Sequence, residues 1–238
     1  MNYDTFHKNI KIQKKTIGKK NFTYRNTLDI LNDIPKANRN TVLDYGCGVG
    51  TVDFYLAENG SKVIGLEVSN KAIDICKKSA KEIGVNNNCS FHKLNYELDR
   101  RFDLIICSEV IEHVEDDDGL LLKLSKLLKK GGYIFISTPS INAPLYKMKL
   151  LSGFDKRVGH LRRYKPDDLL VKVKSLNLKI IKFKKIEGIL RNSLFVFPRL
   201  GWLVKFLKGP MSDIITSFDE FTVKIFGESN LILLAQKI

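Results

Sequence analysis

Apolar positions along this 238-residue chain fall into two alternating patterns. Short apolar runs bounded by polar residues or glycine occupy 41–43, 62–66, 90–94, 102–107, 133–137, 177–186 and 231–236, and they read as seven largely buried strands. Between them the spacing changes to three and four. The segment 52–57 reads as a helix, and the one from Ser69 to about Ile83 turns Ala72, Ile73, Cys76 and Ala80 to one side, with Ser69 as N-cap and Gly84 as stop. A helix capped by the acids 116–118 carries Leu120, Leu121, Leu124, Leu127 and Leu128. Another, opened by Pro166, points Leu169, Leu170 and Val173 inward. Upstream, Phe22, Leu28, Leu31 and Ile34 stand at near-helical spacing until Pro35 ends the run. This alternation predicts an α/β fold with a doubly wound, mostly parallel sheet, and a ligand site beyond the carboxyl ends of its strands.

The sharpest sequence feature lies at such a strand end. Residues 42–50 read VLDYGCGVG, placing Asp44, Gly46, Gly48 and Gly50 between the first strand and a helix N-terminus. Glycines there permit positive φ and close approach of a ligand to the backbone. A dinucleotide fingerprint starting at Gly46 would need a third glycine at position 51, where Thr51 stands. The D-x-G-x-G-x-G pattern instead resembles the cofactor loop of class I S-adenosylmethionine-dependent methyltransferases. The resemblance covers about 41–176. It implies a Rossmann-like, seven-stranded sheet whose last strand, 227–238, runs antiparallel at the edge. It also implies that Gly46, Gly48 and Gly50 cradle the methionine part of the cofactor and that Glu67 meets the ribose hydroxyls. Asn95 falls where the family has an acid for the adenine amino group. Ser108 and Glu109 follow the fourth strand, where the family lines its cofactor or acceptor. Arg25 matches by spacing an arginine that reaches the cofactor carboxylate.

The segment Glu109-x-x-Glu112-His113 offers metal-type donors. On one helical turn the three would project to one side, and two carboxylates with an imidazole suit Mg²⁺, Mn²⁺ or Zn²⁺. His160, in a downstream loop, is a fourth candidate ligand. The E-x-x-E-H pattern is similar to that of ubiquinone-biosynthesis O-methyltransferases, and also to that of small-RNA 2′-O-methyltransferases. The stretch from Gly159 to Tyr164 is closer to general methyltransferases, in which Glu112 and His113 hold the loop or touch the cofactor. With a metal, the ligands are Glu109, Glu112, His113 and His160; without one, His113 or His160 is the catalytic base near neutral pH.

Charge and composition bound the rest. Net charge is +14, but residues 142–210 carry seventeen Lys/Arg against four acids, or +13, and residues 41–141 carry twelve against fifteen, or −3. Solvated surface lysine is one reading; an anionic partner (nucleic acid, acidic lipid or phosphorylated substrate) is the other. The organisation expected is an N-terminal arm and helix over 1–40, a cofactor core over 41–187, an insert over 188–226 and a final strand over 227–238. The insert interleaves Phe195, Phe197, Trp202, Phe206, Phe218, Phe221 and Phe226 with Arg191, Arg199, Lys205 and Lys208. It reads either as a cap over the acceptor pocket or as an element lying on a membrane. Four scattered cysteines and the lack of a signal-like or membrane-spanning run suggest a cytoplasmic protein, peripheral to a membrane at most. The reading reached is methyl transfer from S-adenosylmethionine to an oxygen of a small or lipophilic acceptor. An RNA ribose methyltransferase and a non-catalytic cofactor-binding subunit remain as alternatives.

Overall fold

The computed structural model describes residues 10–197, 200, 202–207 and 209–238. Lys8, Arg199, Lys208 and the Lys205 side chain lie outside the described residues. The elements are α1 (Arg25–Asp33), β1 (Thr41–Tyr45), α2 (Thr51–Glu58), β2 (Lys62–Glu67), α3 (Asn70–Ile83), β3 (Cys89–Lys93), β4 (Phe102–Ser108), α4 (Asp117–Leu127), β5 (Leu128–Pro139), α5 (Pro144–Lys147), α6 (Ser152–Val158), α7 (Pro166–Lys174), β6 (Leu178–Ile186), α8 (Ile189–Val196), α9 (Pro210–Phe226) and β7 (Asn230–Lys237). Single 3₁₀ turns sit at Ile111–His113 and Trp202–Phe206.

One seven-stranded sheet has the order β3-β2-β1-β4-β5-β7-β6. All neighbouring pairs are parallel except those of β7, which is antiparallel to both β5 and β6. The last strand is therefore inside the sheet, and the expectation of an edge position for it is corrected: β6 is the edge. The physical reason is written in both strands. Leu231 to Ala235 are buried without interruption, which needs cover on both faces and a partner on both sides. β6 is lysine-rich (Lys179, Lys182, Lys184, Lys185), and lysines suit an edge that must not pair further.

Alternation along the central strands feeds two cores. Val42, Leu104 and Ile106 join Leu28, Leu31, Phe54 and Phe91 on one face. Leu43, Ile105 and Cys107 join Leu121, Leu124, Leu169 and Val173 on the other. Helix starts follow the expected chemistry. Ser69 Oγ accepts from the Ala72 N–H at 3.1 Å, and Asp116 Oδ1 accepts from the Gly119 N–H at 2.8 Å. The four cysteines are buried free thiols. Among the described residues no helix is long and apolar enough to cross a membrane.

Candidate active site

Beyond the carboxyl ends of β1, β2, β4 and β5 lies a cavity of about 780 Å³. Its floor is the β1–α2 loop. Gly46 and Gly48 have φ of +84° and +55°, and a Cβ on Gly46 would come within 2.5 Å of Val110 Cγ2. Glu67, at the end of β2, holds this loop. Its Oε2 accepts from the Gly48 N–H at 3.0 Å, and its Oε1 accepts from Val68 and Ser69 at 2.8 and 2.9 Å. A carboxylate offers about four acceptor positions, three of which are taken here, and Glu67 is among the residues that line the cavity. Gly50 has φ +74° but does not line the cavity; a Cβ there would come within 2.9 Å of Phe54 Cζ and 3.2 Å of Cys76 Sγ.

The loop sits over buried acid. Asp44 lines the cavity, and burial, with the nearby Glu67 charge, pushes its carboxyl up to about 7. Asp53 is wholly buried, and burial, with Asp44 beside it, holds its carboxyl well above the usual range. A cation in the cavity would favour the charged form of Asp44, which lines it.

At the far wall, the 3₁₀ turn after β4 and the loop after α6 bring Glu112, His113 and His160 together. Their ligating atoms lie within 4.8 Å of one another. Glu112 is fully buried. Its Oε2 accepts from Thr138 Oγ1 at 3.0 Å, while its Oε1 has no hydrogen-bond partner and points between two imidazoles. His113 Nε2 is 3.8 Å from that oxygen and His160 Nε2 is 4.0 Å. The other ring nitrogens are anchored, His113 Nδ1 by the Gly159 carbonyl at 3.0 Å and His160 Nδ1 by Asp155 Oδ1 at 2.8 Å. Anchoring of this kind fixes the tautomer and leaves each Nε2 lone pair free. Burial holds the His113 pKa below the ordinary histidine value, so that ring is neutral at pH 7. Burial, then the Glu109 charge, raises Glu112 well above the carboxylate range.

Three expectations are corrected here. Glu109 adopts φ +55° before the turn, so it does not share a face with Glu112 and His113. Its Oε1 accepts from Ser137 Oγ and Asn230 Nδ2, each at 2.8 Å, so it lines the cavity beside the trio rather than completing a quartet. Arg25 faces α9, where Asp213 and Thr216 engage its guanidinium, and does not line the cavity. Asn95 is exposed and outside the cavity wall, where Leu94 stands instead. Ser108 does line it, with its Oγ 2.7 Å from Ser137 Oγ.

Other residues around the cavity carried no motif. Gln13, outside the cavity wall, crosses from the N-terminal segment to donate to the Val49 carbonyl at 3.1 Å and Thr51 Oγ1 at 3.0 Å, bracing the glycine loop. Asn192, Phe195 and Val196 of α8 and Phe154 of α6 line the cavity, and the Phe154 ring meets the His160 ring with centroids 6.0 Å apart. Residues of the insert therefore line the cavity.

The methyltransferase domain family matches residues 36–186, more than half of the chain. The chain belongs to the class I S-adenosylmethionine-dependent methyltransferases. It is similar to the ubiquinone biosynthesis O-methyltransferase of Coxiella burnetii, 36% identical over 107 residues, which are 44% of this chain and 46% of that one. The corresponding protein of Paracidovorax citrulli is 28% identical over 158 residues, covering 61% and 66%. The match thus spans about half the length of the first of these relatives. Among solved structures, magnesium protoporphyrin IX methyltransferase from Synechocystis with bound S-adenosylhomocysteine superposes with a TM-score of 0.62 at 18% identity. The superposition covers 91% of this chain and 82% of that one and shows the shared fold. S-adenosylmethionine carries a sulfonium and an ammonium group, and the carboxyl of Asp44, which lines the cavity beside the glycine loop, is complementary to that charge when ionised.

Proposed function

We propose that this methyltransferase moves the methyl group of S-adenosylmethionine to a hydroxyl oxygen of a small or lipophilic acceptor, with a divalent cation held by Glu112, His113 and His160. The observation that carries the reading is the fully buried, unpaired Glu112 Oε1 facing two anchored imidazole nitrogens. An uncompensated carboxylate in that position is costly unless a cation or proton joins it. Ligands around a tetrahedral ion with 2.1 Å bonds sit about 3.4 Å apart, so contraction of the order of 1 Å completes the site. Two imidazoles and one carboxylate favour Zn²⁺ or Mn²⁺ over Mg²⁺, which prefers oxygen alone. When bound, such an ion supplies Lewis acidity that lowers the pKa of the acceptor hydroxyl.

The rest of the reaction rests on the chain's own groups. The S–CH₃ bond breaks as the O–CH₃ bond forms, and the sulfur leaves neutral, so no acid is needed at the leaving group. Alignment is the principal task. Glu67 and the positive-φ glycines fix the cofactor side, and Phe154, Phe195 and Val196 give the acceptor side an apolar wall that excludes water. Relatives named for O-methylation support oxygen as the acceptor atom.

The test is transfer of labelled methyl to a catechol-type phenol and, separately, to an RNA 3′ end. Activity on the phenol is expected to vanish after dialysis against a chelator, to return with Zn²⁺ or Mn²⁺, and to be lost in Glu112→Gln and His113→Ala while cofactor binding survives. Undiminished turnover after chelation contradicts the metal; labelling of RNA alone moves the acceptor to a ribose hydroxyl. Cofactor binding with transfer to neither points to a non-catalytic subunit.

A further inference from the structure

The last long helix is inside out. α9 buries Ser212, Thr216, Asp219 and Thr222 against the protein and exposes Met211, Ile214, Phe218, Phe221 and Ile225. The exposed five follow one another at intervals of three, four, three and four, so they form one stripe along the helix. Each is more than half exposed, Ile214 at 69%.

The helix cannot roll to hide this stripe, because its polar side is committed. Asp219 accepts from the N–H groups of Gly188, Leu190 and Arg191, and Thr216 and Asp213 engage Arg25. Immediately upstream, Trp202 and Phe206 are both exposed and meet edge to face with centroids 5.5 Å apart. At the other end, Lys147 Nζ lies beside Gly227, the residue after α9, within the exposed run Tyr146, Lys147, Met148, Lys149 and Leu150. Apolar and basic residues alternate in that run, and Lys224 adds a further exposed cation on α9 itself. Of the acids nearby, Asp213 is paired and Asp219 and Glu228 are buried, leaving Glu220 exposed.

We propose that this face docks the protein on an anionic lipid bilayer, with the α9 stripe and Trp202 in the headgroup layer and Lys147, Lys149 and Lys224 on lipid phosphates. Aromatic and aliphatic side chains rimmed by lysine are the chemistry of an interfacial element. A second copy of the chain fits less well, because the charge of +14 on each copy would set lysine against lysine, whereas an anionic surface neutralises it. The proposal does not depend on the identity of the methyl acceptor.

The experiment is co-sedimentation of the full chain with vesicles of phosphatidylcholine alone and of phosphatidylcholine mixed with phosphatidylglycerol. Trp202 is the only tryptophan in the sequence and serves as an internal reporter. Binding to the mixed vesicles is expected, with release by salt and a shift of Trp202 emission to shorter wavelength. The double variant Phe218→Ser/Phe221→Ser is expected to weaken partitioning by at least about tenfold while leaving cofactor binding, measured by titration, unchanged. Lys147→Glu/Lys149→Glu is expected to weaken it as well. Absence of sedimentation with the mixed vesicles overturns the proposal, as does equal binding by the parent and the Phe218→Ser/Phe221→Ser chain. A dimer in vesicle-free buffer that this double variant abolishes, without vesicle binding, assigns the stripe to a second copy instead.

Discussion

Asp44 faces a cavity whose cofactor is a cation, and its carboxyl titrates at about 7 because burial penalises its charged form. Below that pH the group is neutral and offers the sulfonium nothing; above it the pair is complementary. Cofactor binding therefore expels a proton, and affinity rises with pH through the neutral range. Isothermal titration between about pH 6 and pH 8 is expected to show several-fold tightening, and Asp44→Asn is expected to bind more weakly with a flat profile. On the opposite wall, Asp155 touches no reacting atom but fixes the His160 ring. Asp155→Asn is expected to cost about 10–100-fold in metal affinity, read by competition with a chromophoric chelator, with cofactor binding unchanged. Loss of cofactor binding in that variant would point to a collapsed loop rather than a mispositioned ligand.

At the scale of elements, α8, which lines the cavity, is held by a contact between helices. Asp219 of α9 takes the Gly188 N–H on Oδ2 at 2.8 Å and those of Leu190 and Arg191 on Oδ1 at 3.1 and 3.0 Å, closing the N-terminus of α8 from outside. Gly188 is required for this approach, since a Cβ there would stand 2.0 Å from Thr222 Oγ1. Asp219→Ala leaves those amides unpaired and is expected to destabilise the fold by about 1–3 kcal/mol by chemical denaturation. It is also expected to raise the acceptor KM more than it lowers kcat, because α8 lines the acceptor side. Which side of α9 faces the protein could not be read from periodicity: its buried face is polar, so a pattern search puts its apolar side inward. The position of β7 was legible in principle, through its unbroken Leu231–Ala235 run and the lysines of β6. An expectation carried over from the fold family hid that signal.

For the whole molecule, the sheet and the glycine loop were legible because each is dictated locally, by short apolar runs and by positions that tolerate only glycine. The metal-type trio was half legible. Glu112 and His113 are neighbours in the chain, but Glu109 leaves the group through a backbone turn that no spacing rule encodes, and His160 arrives by a long-range contact. The buried carboxyls give the molecule a collective signature. Asp44, Asp53, Glu112 and Glu187 all hold their protons above the usual carboxylate range, chiefly because they are buried. The folded cofactor-free chain then binds more protons than the unfolded one between about pH 4 and pH 7, so its stability falls as pH rises through that window. His113 and His92, both held below their ordinary value chiefly by burial, work in the opposite direction as pH falls through their unfolded value, two groups against four. The salt-bridged Asp103, Asp117 and Asp155 are held low, so their stabilisation is already present above about pH 4 and does not change across the window. Calorimetry is expected to show Tm decreasing from about pH 5 to pH 7, with the slope reduced in Asp44→Asn; a rising Tm would contradict the assignment of protons to these acids.

The claim on which the chemistry turns is that Glu112, His113 and His160 hold a cation beside the cofactor. It is tested most directly by diffraction from a crystal grown with S-adenosylmethionine and Mn²⁺, at a wavelength where manganese scatters anomalously. The predicted result is a peak bonded to Glu112 Oε1 and both Nε2 atoms, with Glu109 outside its coordination and the cofactor methyl facing it across the cavity. Ordered cofactor with no anomalous density among these three side chains would contradict it and return the proton transfer to a histidine acting alone.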